Sequence, residues 1–207
     1  MEDSKNQLRQ LVKSRLSGIP KEMQKELSLA VCQEILNSQQ YKNARAVLSY
    51  IPLLNELDVS AVNEAVLESD KVLAVPKCVC HLEDDGTMRN SLEFYVMNKN
   101  RPITNQLVQG VLYKEPNVMR LEKFHAQSFS GDGDILILVP GLAFTKDGKR
   151  LGRGKGYYDG FLSELKVQHI PSFAMGVCFD VQLCDDIPCK AYDMRLDAIS
   201  VSPSSTR

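Results

Sequence analysis

One stretch constrains this chain more than any other: "DILILVP", Asp134 to Pro140, in which five apolar residues run without a polar interruption. A half-exposed strand would alternate apolar and polar residues, and an amphipathic helix would show a polar stripe. A short run that is apolar on both sides fits a central strand of a parallel sheet, with both faces covered. Parallel neighbours cannot be joined by tight turns, so crossover connections, usually helices, must lie between the strands.

The rest of the chain supplies them. Residues 4–17 read as a helix with Ser4 as its cap and Leu8, Leu11, Val12 and Leu16 on one face. A second helix starts at Pro20, taken as its first residue, and runs to about Asn37. "ARAVLSYI" (44–51) reads as a buried strand, 58–69 as a helix, and 71–77 as a short strand stopped by Pro76. "SLEFYVM" (91–97) alternates like a half-exposed strand. The polar segment 98–130 reads as a short helix and loops. A helix over 157–167 and strands at 172–179 and 196–202 complete the series.

The expected fold is therefore α/β: a single domain over residues 1–207 with an open, mainly parallel sheet and helices on both faces, a Rossmann-like three-layer arrangement. In such sheets ligands sit beyond the carboxyl ends of the strands.

Composition narrows the function classes. A formal net charge of −1 leaves no polyelectrolyte character, so nucleic acid or anionic lipid would need a local basic patch. No apolar run approaches the roughly 20 residues of a membrane span. The acidic start "MEDSKNQLRQ" does not resemble a secretory or mitochondrial leader. A cytoplasmic monomer is the expectation. The six cysteines include no C-x-x-C pair, which argues for reduced thiols rather than a zinc site.

Directly after the apolar run comes "PGLAFTKDGKRLGRGKGYYDGFL", Pro140 to Leu162. Gly152, Gly154 and Gly156 alternate with Arg153 and Lys155, with Arg150 and Leu151 just before them. Alternating glycines let a backbone approach a ligand and present its N–H groups, and the intervening cations suit phosphate or carboxylate oxygens. A helix starting near Tyr157 would point its positive end at the same anion. Neither the Walker pattern nor the dinucleotide pattern fits: Lys155 is followed by Gly156, and position 159 is Asp159. A solvated surface turn is the plain alternative.

Lys5, Arg9 and Lys13 form a stripe of like charge at four-residue spacing, either a solvated face or the second wall of a polyphosphate site. Asp159 and Asp193 could hold a magnesium ion or orient the cations around them. Glu56, in "IPLLNELDVS", is a loop carboxylate or a substrate reader. Tyr157 and Tyr158 are adjacent on a helix, so one is expected to face the ligand and the other the core. The three histidines fall outside every motif.

The glycine-rich segment resembles the signature of the 5-formyltetrahydrofolate cyclo-ligase family, also called methenyltetrahydrofolate synthetases, P-G-x-x-F-x-x-x-G-x-R-L-G-x-G-x-G-Y-Y-D. "KNQLR", "SYIPLLNELDV" and "YDMRLDAI" extend the similarity over essentially the whole chain. One departure is Thr145, where relatives often carry an acidic residue.

This resemblance implies an enzyme that uses ATP and Mg2+ to convert 5-formyltetrahydrofolate to 5,10-methenyltetrahydrofolate, through phosphorylation of the formyl oxygen. It implies ATP phosphate contacts from Lys5 and Arg9 and a nucleotide loop from Arg150 to Tyr158. Arg153 through Tyr157 would also lie near the folate, with Arg153 and Lys155 as catalytic residues. Asp159 and Asp193 would be metal partners, Ile51 and Glu56 pterin contacts, and the N-terminal helix would close over the nucleotide. The residue chemistry agrees: phosphoryl transfer needs positioning and neutralisation of oxygens rather than a protein nucleophile. The rivals are a sugar-phosphate isomerase or CoA transferase on a similar sheet, which would need a carboxylate base and no ATP, and a binding module without turnover. A nucleic-acid binder is the weakest of them.

Overall fold

The computed structural model describes residues 2–205 apart from 83, 101–102, 109–110, 130, 132–133 and 191. In chain order the helices are α1 (Glu2–Ser17), α2 (Lys21–Asn37), α3 (Gln39–Asn43), α4 (Ser60–Leu67) and α5 (Tyr157–Val167). The strands are β1 (Ala46–Leu48), β2 (Val72–Leu82), β3 (Met88–Val96), β4 (Ile103–Val108), β5 (Val111–Pro116), β6 (Ile135–Val139), β7 (Ala143–Phe144), β8 (Arg150–Leu151), β9 (Phe173–Cys178) and β10 (Ala198–Val201).

The apolar run is β6, and every residue in it is fully buried. It lies between β1 and β9, parallel to both, in a six-stranded sheet of order β10-β9-β6-β1-β2-β3. Only the edge strand β3 runs antiparallel, against β2. Alternation along the strands separates two cores. Val47, Leu136 and Leu138 pack with Val12, Val31 and Val62 from α1, α2 and α4. Leu48, Ile135, Ile137 and Val139 pack on the other face with Leu162 and Leu165 of α5. Burying each Ile or Leu of β6 stabilises by about 1.5–3 kcal/mol, so the sheet centre is where the fold is held most firmly. No helix among the described residues is long and apolar enough to cross a membrane.

Several sequence expectations shift. Helix α1 begins by Glu2, so Ser4 lies in its first turn rather than capping it; Glu2 and Asp3 supply the negative charge that a helix start favours. Leu11 is exposed, because a neighbour 100° round the helix from Val12 leaves the buried stripe. Pro20 precedes α2 as its cap residue, and the short α3 went unread.

β2 does not stop at Pro76. Leu73 accepts from Met97 N on the β3 side and Ala74 from Ser49 N on the β1 side, so Pro76 directs its nitrogen to the β1 side. β1 pairs only as far as Ala74, so no donor is missed there. The segment 98–130, expected as a helix and loops, instead contains the antiparallel ribbon β4–β5 and two 3-10 turns. The ribbon mixes apolar and polar residues without a regular alternation, so its sequence carries no clear strand period.

The strand order reverses between β6 and β1, with β2 and β3 added on one side and β9 and β10 on the other. The chain leaves the carboxyl ends of β1 and β6 in opposite directions, which opens a crevice between them. Tyr50 and Ile51 follow β1, Pro140 and Gly141 follow β6, and all four line a cleft of about 680 Å³.

Candidate active site

The cleft gathers residues from widely separated parts of the chain. Lys5, Arg9, Ile51, Glu56, Asp193 and the whole segment from Arg150 to Asp159 border it. Lys13, the third member of the cationic stripe, is exposed and outside it. At 3.6 residues per turn a four-residue step drifts about 40°, so the third cation has rotated off the face that carries the first.

The glycine-rich segment does not begin as a loop. Arg150 and Leu151 form β8, paired with Phe144 and Ala143 of β7. Gly148 makes that turn at φ +86°, and a Cβ there would stand 2.3 Å from the carbonyl oxygen of Leu196. Thr145 holds the same turn: its hydroxyl donates to Asp147 and accepts from Lys149 N–H, both local bonds. The Thr145 departure thus falls on a turn, not on the cleft. Leu151 is buried in the core. Gly154 has φ +95° and lies so near α1 that a Cβ would come within 3.3 Å of Arg9 Nη2. Gly156, left-handed at φ 71°, caps the start of α5 at the cleft wall.

Four of the cations here are matched with an anion: Lys5, Arg9, Arg150 and Arg153. Lys5 Nζ donates to Asp193 Oδ2 at 2.6 Å, with only 8% and 13% of the two side chains exposed. Arg150 Nη2 donates to Asp159 Oδ2 at 2.8 Å, with 5% and 19% exposed. Arg153 Nη2 donates to Glu56 Oε1 at 2.9 Å. Arg9 donates through Nε to Gly152 O at 3.1 Å and through Nη1 to Glu2 and Asn6. The Lys155 ammonium has no hydrogen-bond or ion-pair partner among the described residues, and the residue is exposed.

The carboxylates are further fixed by the backbone: Asp193 accepts from Lys190 N, Asp159 from Met194 N and Glu56 from Leu53 N. Burial alone would push the Asp193 carboxyl up. The hydrogen bonds from Lys5 and the Lys190 N–H outweigh it and hold the group below the usual carboxylate range. Asp197, by contrast, lies outside the cleft and accepts from Ala174 N.

Both tyrosines border the cleft, contrary to the expectation of one. They open α5 at the cleft mouth, where two long side chains 100° apart can flank the same space. Tyr157 is half-buried, and burial pushes its phenol up to about 12. The Tyr158 hydroxyl is buried without a partner; burial, then the charge of Glu56, drives its phenol far up, against the opposing Arg150 guanidinium 5.5 Å from the ring centre. Cys78 borders the cleft too, and burial pushes its thiol up to about 11, so it is protonated and a poor nucleophile.

The sequence did not single out Pro76, Cys78, Leu92, Lys114, Glu115 or Lys190, nor Tyr192 although it opens the segment "YDMRLDAI"; all seven border the cleft. Most come from β2, β3 and the unread β5, and no spacing links them to the signature. Tyr50 could have been found, since it directly precedes Ile51 at the end of β1.

Magnesium takes oxygen ligands, commonly one or two carboxylates together with phosphates and water. Asp159 and Asp193 supply that number, although each already faces a cation. No group of three or more His, Cys, Asp or Glu side chains among the described residues is placed to hold a metal. The donor set fits an ion that arrives on phosphates, and it does not form a protein-built cage.

What the cleft can do follows from this arrangement: backbone N–H groups and the start of α5 for an anion, cations that can exchange carboxylate for phosphate, and a carboxylate beside an apolar wall. Comparison with known proteins agrees. The model of the 5-formyltetrahydrofolate cyclo-ligase family matches residues 1–202. A mouse (Mus musculus) 5-formyltetrahydrofolate cyclo-ligase is 28% identical over 199 residues, covering 95% of this chain and 92% of that protein. A Caenorhabditis elegans protein named as a probable 5-formyltetrahydrofolate cyclo-ligase is 28% identical over 203 residues, covering 96% and 93%. The fold matches a 5,10-methenyltetrahydrofolate synthetase from Aquifex aeolicus with a TM-score of 0.70 at 23% identity, covering 98% of this chain and 93% of that one. It matches one from Mycoplasma pneumoniae with a TM-score of 0.67 at 22% identity, covering 95% and 97%.

Proposed function

The chain belongs to the 5-formyltetrahydrofolate cyclo-ligase family, and on that premise we propose that it converts 5-formyltetrahydrofolate and ATP to 5,10-methenyltetrahydrofolate, ADP and phosphate. One observation carries the reading. Residues to which the family resemblance assigns nucleotide, folate and metal contacts, separated in sequence by up to 188 positions, share one cleft at the switch point of the sheet. The whole chain acts as a single domain, with α1 as the wall over the nucleotide.

In this reaction the formyl oxygen attacks the γ-phosphorus of ATP and the bond to the β-phosphate oxygen breaks, releasing ADP. The second folate nitrogen then adds to the activated formyl carbon. Its proton is lost, and the former formyl oxygen departs within inorganic phosphate. Lys155, whose ammonium has no partner among the described residues, and Arg153 neutralise oxygens of the transferring phosphoryl group. Gly154 and Gly156 let those oxygens approach the main chain. Lys5 and Arg9 hold the outer phosphates.

Glu56 accepts from the donor edge of the pterin, and Ile51 supplies the apolar side of that slot. Asp159 and Asp193 would hold Mg2+, which supplies charge neutralisation between phosphate oxygens when bound. Their main work in the chain is to orient Arg150 and Lys5. The high phenol pKa of Tyr157 keeps it a hydrogen-bond donor at neutral pH.

The test is direct. Protein is mixed with 5-formyltetrahydrofolate, ATP and magnesium, and the near-ultraviolet absorbance of the methenyl product is followed. Product should accumulate with ATP and not without it. Absence of product under both conditions refutes the assignment.

A further inference from the structure

The proposed reaction leaves the base of the nucleotide without a place, and the contacts across the cleft bring one exposed aromatic residue beside the phosphate-holding cations. At one end Glu56 holds Arg153. The adjacent Gly152 accepts from Arg9. Arg9 lies one turn along α1 from Lys5, and Lys5 is bonded to Asp193. Next to Asp193 stands Tyr192. With the pterin at Glu56 and phosphates held by the glycine segment, Arg9 and Lys5, Tyr192 borders the cleft directly beside the partner of Lys5.

Tyr192 suits that position. It borders the cleft, yet the residue is 65% exposed, the kind of large apolar exposure that core packing does not explain. The only ring contact recorded for it among the described residues is a cation: Lys190 Nζ stands 5.4 Å from the ring centre. The anchor beneath it is firm, since the neighbouring Asp193 carboxylate takes both Lys190 N–H and Lys5. The platform is therefore positioned while its face stays accessible. A flat electron-rich base stacks on such a ring, and a cation beside the stack adds to it.

We propose that Tyr192, with Lys190 beside it, is the stacking platform for the purine base of the nucleotide, and so the residue that distinguishes a nucleotide from a bare polyphosphate. This rests on the assignment of the glycine segment to phosphates.

The test measures binding rather than turnover, which keeps it separate from the reaction itself. Dissociation constants of ATP and of inorganic tripolyphosphate are determined by calorimetry for the unaltered protein, Tyr192→Ala and Tyr192→Phe. Stacking on an aromatic side chain is worth about 1–3 kcal/mol per base, roughly a 5- to 150-fold change in affinity. ATP should therefore weaken by about that factor in Tyr192→Ala and recover in Tyr192→Phe. Tripolyphosphate, which has no base, should stay within about twofold of the unaltered protein in all three.

Equal weakening of both ligands would show that Tyr192 only shapes the phosphate site and would overturn the inference. So would unchanged ATP affinity in Tyr192→Ala, or an unaltered protein that binds no ATP. Tyr192-dependent ATP binding without formation of methenyl product would uphold the platform and refute the proposed reaction instead.

Discussion

Asp159→Ala should unfold this protein more readily, and the geometry sets the size of the effect. Asp159 is the ion-pair partner of Arg150, whose side chain is only 5% exposed and whose Nε already lacks an acceptor. That guanidinium keeps a long 3.4 Å bond from Nη1 to Pro140 O and the face of the Tyr158 ring, 5.5 Å away at its centre. Removing the carboxylate leaves a buried positive charge nearly unsupported, and breaking a buried pair from one side costs about 3–5 kcal/mol. Met194 N also loses its acceptor, about 1 kcal/mol more. Partial access of water at Asp159, 19% exposed, argues for the lower end, so about 3–4 kcal/mol is expected.

Urea unfolding followed by far-ultraviolet circular dichroism reads this out. With a slope of about 2–3 kcal/mol per molar, the midpoint should fall by about 1–2 M. The pair should be worth far less than the cost of breaking it, so Arg150→Met combined with Asp159→Leu should regain most of the loss. An Asp159→Ala protein with the unaltered midpoint and slope would refute the reasoning, and would return Asp159 to a role in ligand binding alone.

Three further outcomes follow. Lys155→Ala removes an exposed cation without a described partner, so its stability should stay within about 0.5 kcal/mol of the unaltered protein while methenyl formation falls by two orders of magnitude or more, on the order of one transition-state contact; near-normal turnover contradicts this. Glu56→Gln should raise the KM for 5-formyltetrahydrofolate by about 10- to 100-fold, the worth of a charged hydrogen bond, and the KM for ATP much less; the reverse order would move Glu56 to the nucleotide. For Asp193, the folded-state pKa is lowered, so its stabilisation is fully present above the unfolded value of about 3.9 and is lost as pH falls through the folded pKa. The stability gap between the unaltered protein and Asp193→Asn should be constant from pH 7 to 5 and shrink below pH 4 in urea titrations; a gap that widens in acid would contradict the pairing.

How much of this was legible beforehand differs by element. Strand β6 could be read because burial on both faces demands a continuous apolar run, and that requirement is local. The same holds for the start of α5 at Tyr157, where glycine meets an amphipathic pattern. The ribbon β4–β5 and the passage of β2 through Pro76 could not be read. Pairing there depends on which edge lacks a neighbour, a property of strands distant in the chain.

The site divides in the same way. The glycine segment points to an anion by its own composition, and its likeness to the family signature implies a nucleotide. Its partners are a different matter. Lys5 meets Asp193 across 188 positions and Arg153 meets Glu56 across 97. Charges of one sign at helical spacing say only that a face is polar; Lys5 is buried and paired while Lys13 is exposed and outside the cleft. Sequence by itself determined the central strand, the α/β class and the glycine-rich segment that follows the strand, because each is enforced by the solvation and backbone freedom of neighbouring residues. Tertiary structure alone decided which carboxylate holds which cation and that the exposed Tyr192 borders the cleft. Those choices are made where loops from distant strands return to the same sheet edge, and a Coulomb interaction depends on that distance rather than on separation along the chain.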